Sequence, residues 1–121
     1  IPANSFYEWQ KVNGRKVPYN FELKDQHLMT FGGIYSIWRD RQGNEKLSCS
    51  IITVPPNSIV KPIHNRMPFV LTKEHERAWL DRNITDPEYL KELIKPYPDD
   101  NMRCYQVSQT VNNAKNDDPW L

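Results

Sequence analysis

The stretch SFYEWQKVNGRKVPYNFEL, residues 5–23, spells out a β-hairpin. Ser5–Lys11 is rich in aromatic and strand-forming residues, and Asn13-Gly14 is the dipeptide that the tight two-residue hairpin turn prefers. Val17–Leu23 alternates well enough to be the returning strand. Working outward, Leu28–Trp38 is a long aromatic and β-branched run broken by Gly32-Gly33, a pair that predicts a bulge or a close backbone approach. Arg39–Glu45 is a polar turn around Gly43. Leu47–Val54 (LSCSIITV) reads as a buried strand that Pro55-Pro56 ends. Ile59–Asn65 reads as loop and Met67–Leu71 as a short strand. Two helices follow. Lys73–Asp81 takes Thr72 as its N-cap and Trp79 and Leu80 as buried anchors. Pro87–Lys95 has Asp86 as a candidate cap, Pro87 in the first helical position and Thr85-x-x-Glu88 as a capping box, with Pro96 and Pro98 stopping it. Met102–Val107 is a last strand, before an Asn-rich tail that ends in Pro119-Trp120-Leu121. Strands, two short helices and a strand predict an α+β fold, mainly antiparallel β-strands.

Length and composition fit one globular domain. A chain of 121 residues can bury a core without metals or disulfides. Ten prolines and 12% aromatics favour short strands and turns over a helical bundle. No apolar run approaches the roughly 18 residues of a membrane span, and no signal peptide opens the chain. Two cysteines make no disulfide framework. Cys49, inside an apolar run, is expected to be a small buried residue in a reducing compartment. Charge is uneven: residues 1–66 hold nine Lys/Arg against five Asp/Glu, and residues 67–121 hold seven against ten. The basic part also carries eight of the fourteen aromatics. Cations for phosphates and flat rings for bases suit single-stranded nucleic acid; aromatic core and solvated charge is the other reading. The start at Ile1-Pro2-Ala3, without Met, raises the expectation of a longer polypeptide.

Two residues stand out chemically. Glu8 lies in Phe6-Tyr7-Glu8-Trp9, where apolar walls can raise a carboxyl pKa and make a general acid. Simple alternation can equally point it at solvent. His64 lies in Ile63-His64-Asn65-Arg66-Met67-Pro68, where an imidazole can move protons while Arg66 holds a phosphate; the alternative is a surface histidine beside a structural arginine. His27, His64 and His75 lack ligand spacing, so no metal or other cofactor is expected. Asn112, Asn113 and Asn116 suit turn caps or a ligand.

Three motifs in order resemble the SOS-response-associated peptidase (SRAP) family. They are Ile1-Pro2-Ala3-x-x-Phe6-Tyr7-Glu8-Trp9, then Ile51-Ile52-Thr53 followed by Pro62-Ile63-His64-Asn65-Arg66-Met67-Pro68, and last Val107-Ser108-x-x-Val111-Asn112-x-x-x-Asn116-Asp117. Asn65 stands where the family usually has Asp, a tolerable change. The resemblance implies a partly barrel-like sheet and a single domain over residues 1–121, seen without its N-terminal segment. It also implies a bacterial cytoplasmic, nucleoid-associated monomer that binds single-stranded DNA bearing abasic sites. In such proteins a cysteine next to the initiator methionine, exposed by self-processing, forms a thiazolidine with the abasic aldehyde. Glu8 and His64 match the proton-transfer residues, and Trp9, Thr53 and Arg66 match DNA contacts. Without that cysteine these residues alone are not expected to crosslink DNA. The competing expectations are a non-covalent single-stranded DNA binder and an unrelated Glu/His hydrolase.

Overall fold

The hairpin anticipated at Asn13-Gly14 is the frame of the molecule. β2 (Phe6–Val12) and β3 (Arg15–Leu23) pair antiparallel from Val12 opposite Arg15 to Phe6 opposite Phe21. Asn13 at φ 49° and Gly14 at φ 79° supply the two left-handed residues that such a turn requires. β10 (Met102–Gln106) joins the other edge of β3, so three strands run β10-β3-β2. The computed structural model describes residues 1–118, and the Pro119-Trp120-Leu121 end lies outside the described residues.

The Gly32-Gly33 pair is where strands change sheet. β4 (Met29–Phe31) lies between β1 (Pro2–Ala3) and β9 (Val70–Leu71), whereas β5 (Gly33–Arg39) pairs with β6 (Glu45–Ile51). β7 (Thr53–Val54) pairs with β8 (Met67–Pro68). The breaks at Gly32, Ile52 and Phe69 meet in a closed ring of backbone hydrogen bonds. Gly32 N–H donates to Phe69 O at 2.8 Å, Phe69 N–H to Ile52 O at 2.8 Å, and Ile52 N–H to Gly32 O at 3.0 Å. A Cβ on Gly32 would lie 2.3 Å from the Phe69 ring, so the close approach read from the sequence is real. Every strand pair among the described residues is antiparallel, and the sheets do not close into a barrel. The fold is α+β.

The core gathers where the sheets converge. Phe6 stacks on Phe21 at 4.9 Å and meets Phe31 edge-on at 6.2 Å, with Met29, Val54, Val60, Met67, Val70 and Met102 filling between. α1 (Lys73–Leu80) starts at Thr72, whose hydroxyl accepts from His75 N–H, and α2 (Pro87–Leu93) starts at Asp86, whose carboxylate accepts from Glu88 N–H. Asp86 is therefore the cap, and the box expected from Thr85 does not form. Trp79 anchors α1 against Phe69 at 5.3 Å. Leu80 does not, and is 77% exposed, because a 3.6-residue period turns it off the face that Trp79 buries.

The larger correction concerns Leu47–Val54. Only Val54 is buried, and every residue of β6 is exposed, Cys49 included. The reason is architectural: β5 and β6 form a two-stranded ribbon joined by a turn that Asp40 organises, and no described element packs over it.

Candidate active site

Alternation along β2 sends Phe6, Glu8 and Gln10 to one side and Tyr7 and Trp9 to the other. Phe6 enters the core, so Glu8 leaves it at a boundary, with one-fifth of its side chain exposed. Burial strips water from the carboxylate and raises the Glu8 pKa above its ordinary 4.5, and the charge of His64 opposes this by a smaller amount. Glu8 Oε2 and His64 Nδ1 are 3.6 Å apart. The reading of Glu8 as a plain solvent-facing residue therefore fails: its face is shared with the core.

The segment that delivers His64 is tethered at both ends. Asn57, buried, donates from Nδ2 to Tyr97 O at 2.9 Å and accepts from Val60 N–H at Oδ1, 3.0 Å. Val60 O then accepts from Ile63 N–H and His64 N–H, winding the chain into tight turns. Gln10 Nε2 donates to Pro62 O at 2.9 Å, so the strand that carries Glu8 also holds the loop that carries His64. His64 Nδ1 lies 3.2 Å from Arg66 N–H and 3.0 Å from Arg66 O. A bare Nδ1 accepts the former, and a protonated one donates to the latter, with the Glu8 carboxylate within ion-pair range. Both proton states thus have partners in place, as a proton shuttle requires.

Arg66 completes the cluster through Thr53. Its Nε donates to Thr53 Oγ1 at 3.2 Å, and its Nη2 donates to Thr53 Oγ1 at 3.0 Å and to Thr53 O. Thr53 sits on β7 and Arg66 just before β8, so sheet pairing brings the two together. No acceptor among the described residues takes the Nη1 protons, which leaves one side of the guanidinium to meet an anion. Thr53 acts here by aiming Arg66.

Trp9 is not brought to this group. It lies on the opposite side of β2, where its indole N–H donates to Asn112 Oδ1 at 2.7 Å. Asn112 donates to Gln109, and Gln109 Nε2 donates to Lys16 O at 2.9 Å. Trp9, Lys16, Val111, Asn112 and Ala114 line a groove of about 500 Å³. Asn116 Nδ2 donates to Thr110 O at 2.9 Å and Asn113 Oδ1 accepts from Lys115 N–H, so the tail asparagines build turns and brace Trp9. Sequence reasoning missed Gln10 and Asn57. Gln10 carried a signal, its place two residues from Glu8 on the same face; Asn57, between two proline-bounded segments, carried none.

The chain belongs to the SOS response associated peptidase (SRAP) family, which it matches over residues 1–114. Abasic site processing protein YoqW of Bacillus subtilis is 46% identical over 122 residues, which cover 100% of this chain and 54% of that protein. Abasic site processing protein HMCES of Xenopus tropicalis is 32% identical over 138 residues, 98% of this chain and 41% of that protein. A crystal structure of a protein from Bacteroides thetaiotaomicron superposes with a TM-score of 0.88 at 31% identity, over 97% of this chain and 52% of that one. The chain thus spans about half the length of the curated relatives it matches. No described helix is long and apolar enough to cross a membrane.

Proposed function

We propose that this chain supplies the acid–base and DNA-positioning half of an abasic-site processing protein acting on single-stranded DNA. The observation that carries this reading is the Glu8–His64 pair: a carboxyl held above its ordinary pKa, 3.6 Å from an imidazole with partners for either proton state. The names of the relatives point to the same substrate. The nucleophile is an N-terminal cysteine in the part of the family's length that these residues do not span.

The cysteine amine adds to the aldehyde carbon of the ring-opened abasic sugar. Protonated Glu8 gives its proton to the resulting hydroxyl, water leaves, and the iminium nitrogen returns its proton to the Glu8 carboxylate to leave an imine. The cysteine sulfur then adds to the imine carbon and its proton reaches the nitrogen, closing a thiazolidine with one water released overall. His64 relays protons between the sugar and Glu8. Arg66 grips a phosphate with the donors that Thr53 leaves free, and Trp9 stacks on a base, so that DNA wraps the β2 edge from one face to the other.

The test is a denaturing gel of the complete gene product, from its own start codon, incubated with single-stranded DNA holding one abasic site. A slow band that survives denaturation is expected, weakened about a hundredfold or more in initial rate by Glu8→Gln with DNA affinity kept. No band, with intact and abasic strands bound equally, would reduce the protein to a non-covalent DNA binder.

A further inference from the structure

The tip of the β2–β3 hairpin places two lysines where sheet chemistry disfavours them. Lys11 and Lys16 are directly opposed across the two strands. Like charges in that register repel and weaken the pair. Alternation puts Lys11 on the same side of β2 as Trp9, two residues back, and Lys16 shares that side as the partner of Lys11. Both lysines are exposed. Among the described residues neither forms an ion pair, not even with Asp117 or Asp118 of the nearby tail. The surface beside them is shaped. Lys16 lines the groove of about 500 Å³ together with Trp9, Val111, Asn112 and Ala114. The carbonyl of Lys16 accepts from Gln109 Nε2 at 2.9 Å. Asn112 donates to the same Gln109 side chain and accepts from the Trp9 indole N–H at 2.7 Å. The tail thereby ties the edge of the Trp9 ring to the strand that carries Lys16.

A braced aromatic ring beside two unneutralised cations fits a flat base joined to an anionic phosphate. Two residues along a strand span about 7 Å, a distance that a nucleotide bridges from its base to its backbone. A carboxylate alone would meet the charge and leave the ring unused. We propose that Lys11 and Lys16 form a phosphate seat for the single-stranded DNA whose base stacks on Trp9. The strand then runs from Arg66 over the β2 edge and out along the hairpin towards its tip. The seat is distinct from the Arg66 contact, which belongs to the Glu8 side of β2. The repulsive pair is kept because a phosphate, and not the fold, neutralises it. The inference rests on the single-stranded DNA reading above and adds a second anion contact to it, one that needs neither an abasic site nor a crosslink.

The experiment measures binding of a fluorescein-labelled oligothymidylate, free of abasic sites, to the complete gene product over a series of salt concentrations. Lys11→Ala/Lys16→Ala should weaken binding about tenfold at about 0.1 M salt and lower the salt slope by about 0.7 to 1.4, the loss of one to two phosphate contacts. Lys11→Arg/Lys16→Arg should keep both values. Lys91→Ala/Lys95→Ala removes the same charge from in and just after α2, which lines no part of the groove, and should leave the slope unchanged. Lys16→Glu separates binding from folding. It exchanges repulsion for attraction across the pair, so it should raise the melting temperature by about 1 to 4 °C while weakening DNA binding more than the alanine pair does. A parent-like slope in Lys11→Ala/Lys16→Ala, with the complete protein still binding and crosslinking, overturns the seat alone. Equal losses from both lysine pairs also overturn it, because net charge then accounts for the effect. A complete protein that binds no single-stranded DNA overturns the seat together with the reading it rests on.

Discussion

Ionising Glu8 is harder than ionising a carboxylate in water, because the fold removes hydration that His64 only partly replaces. With its folded pKa raised above 4.5, Glu8 favours folding while protonated. That contribution is whole below 4.5 and is lost as pH climbs through the raised value. Glu8→Gln should therefore gain melting temperature relative to the parent as pH rises from about 4 to about 7, and a constant difference across that range would refute the desolvation argument. The same protonated carboxyl is the acid in the proposed reaction, so crosslinking should fall as pH passes the Glu8 pKa. Arg66 invites a different measurement. Arg66→Ala should weaken single-stranded DNA binding and lower the salt slope by about one, and an unaltered slope would remove Arg66 from the phosphate contact. Glu8, His64 and Arg66 were legible because each is a reactive side chain in a distinctive local string. Their convergence was not, since 56 positions separate Glu8 from His64 and two plain amides, Gln10 and Asn57, help to close the gap.

Elements differ in how fully their sequences describe them. The Asn13-Gly14 turn needs no partner beyond its own strands, so its residues state its geometry in full. Nothing lies within 4 Å of a Cβ on Gly14, so Gly14→Ala should cost only the left-handed backbone penalty, about 1 kcal/mol in chemical denaturation. Gly32→Ala meets the Phe69 ring instead and should cost several kcal/mol, at the upper end of single substitutions. Both glycines were visible as breakers, and only the structure distinguishes an open turn from a filled junction. Asn57→Leu leaves Tyr97 O and Val60 N–H without their buried partner and should destabilise by about 2 kcal/mol while loosening the His64 loop. β6 shows the limit of pattern reading. LSCSIITV states that one face wants cover, and it contains nothing about which polypeptide provides it.

At the scale of the molecule, three sheets are joined at Gly32, Ile52 and Phe69 by bonds that run in a circle. Opening any one of them leaves a donor and an acceptor that the other two cannot satisfy, so the ring behaves as a single latch. In amide hydrogen exchange these three N–H groups should therefore report one shared opening free energy, close to that of global unfolding, whereas the exposed β5–β6 ribbon exchanges through smaller local openings. β7 and β8 leave this latch directly, with Thr53 next to Ile52 and Met67-Pro68 leading into Phe69. The stability that sets how often Arg66 loses its aim is accordingly that of the latch, so the site should hold its shape until the whole domain gives way.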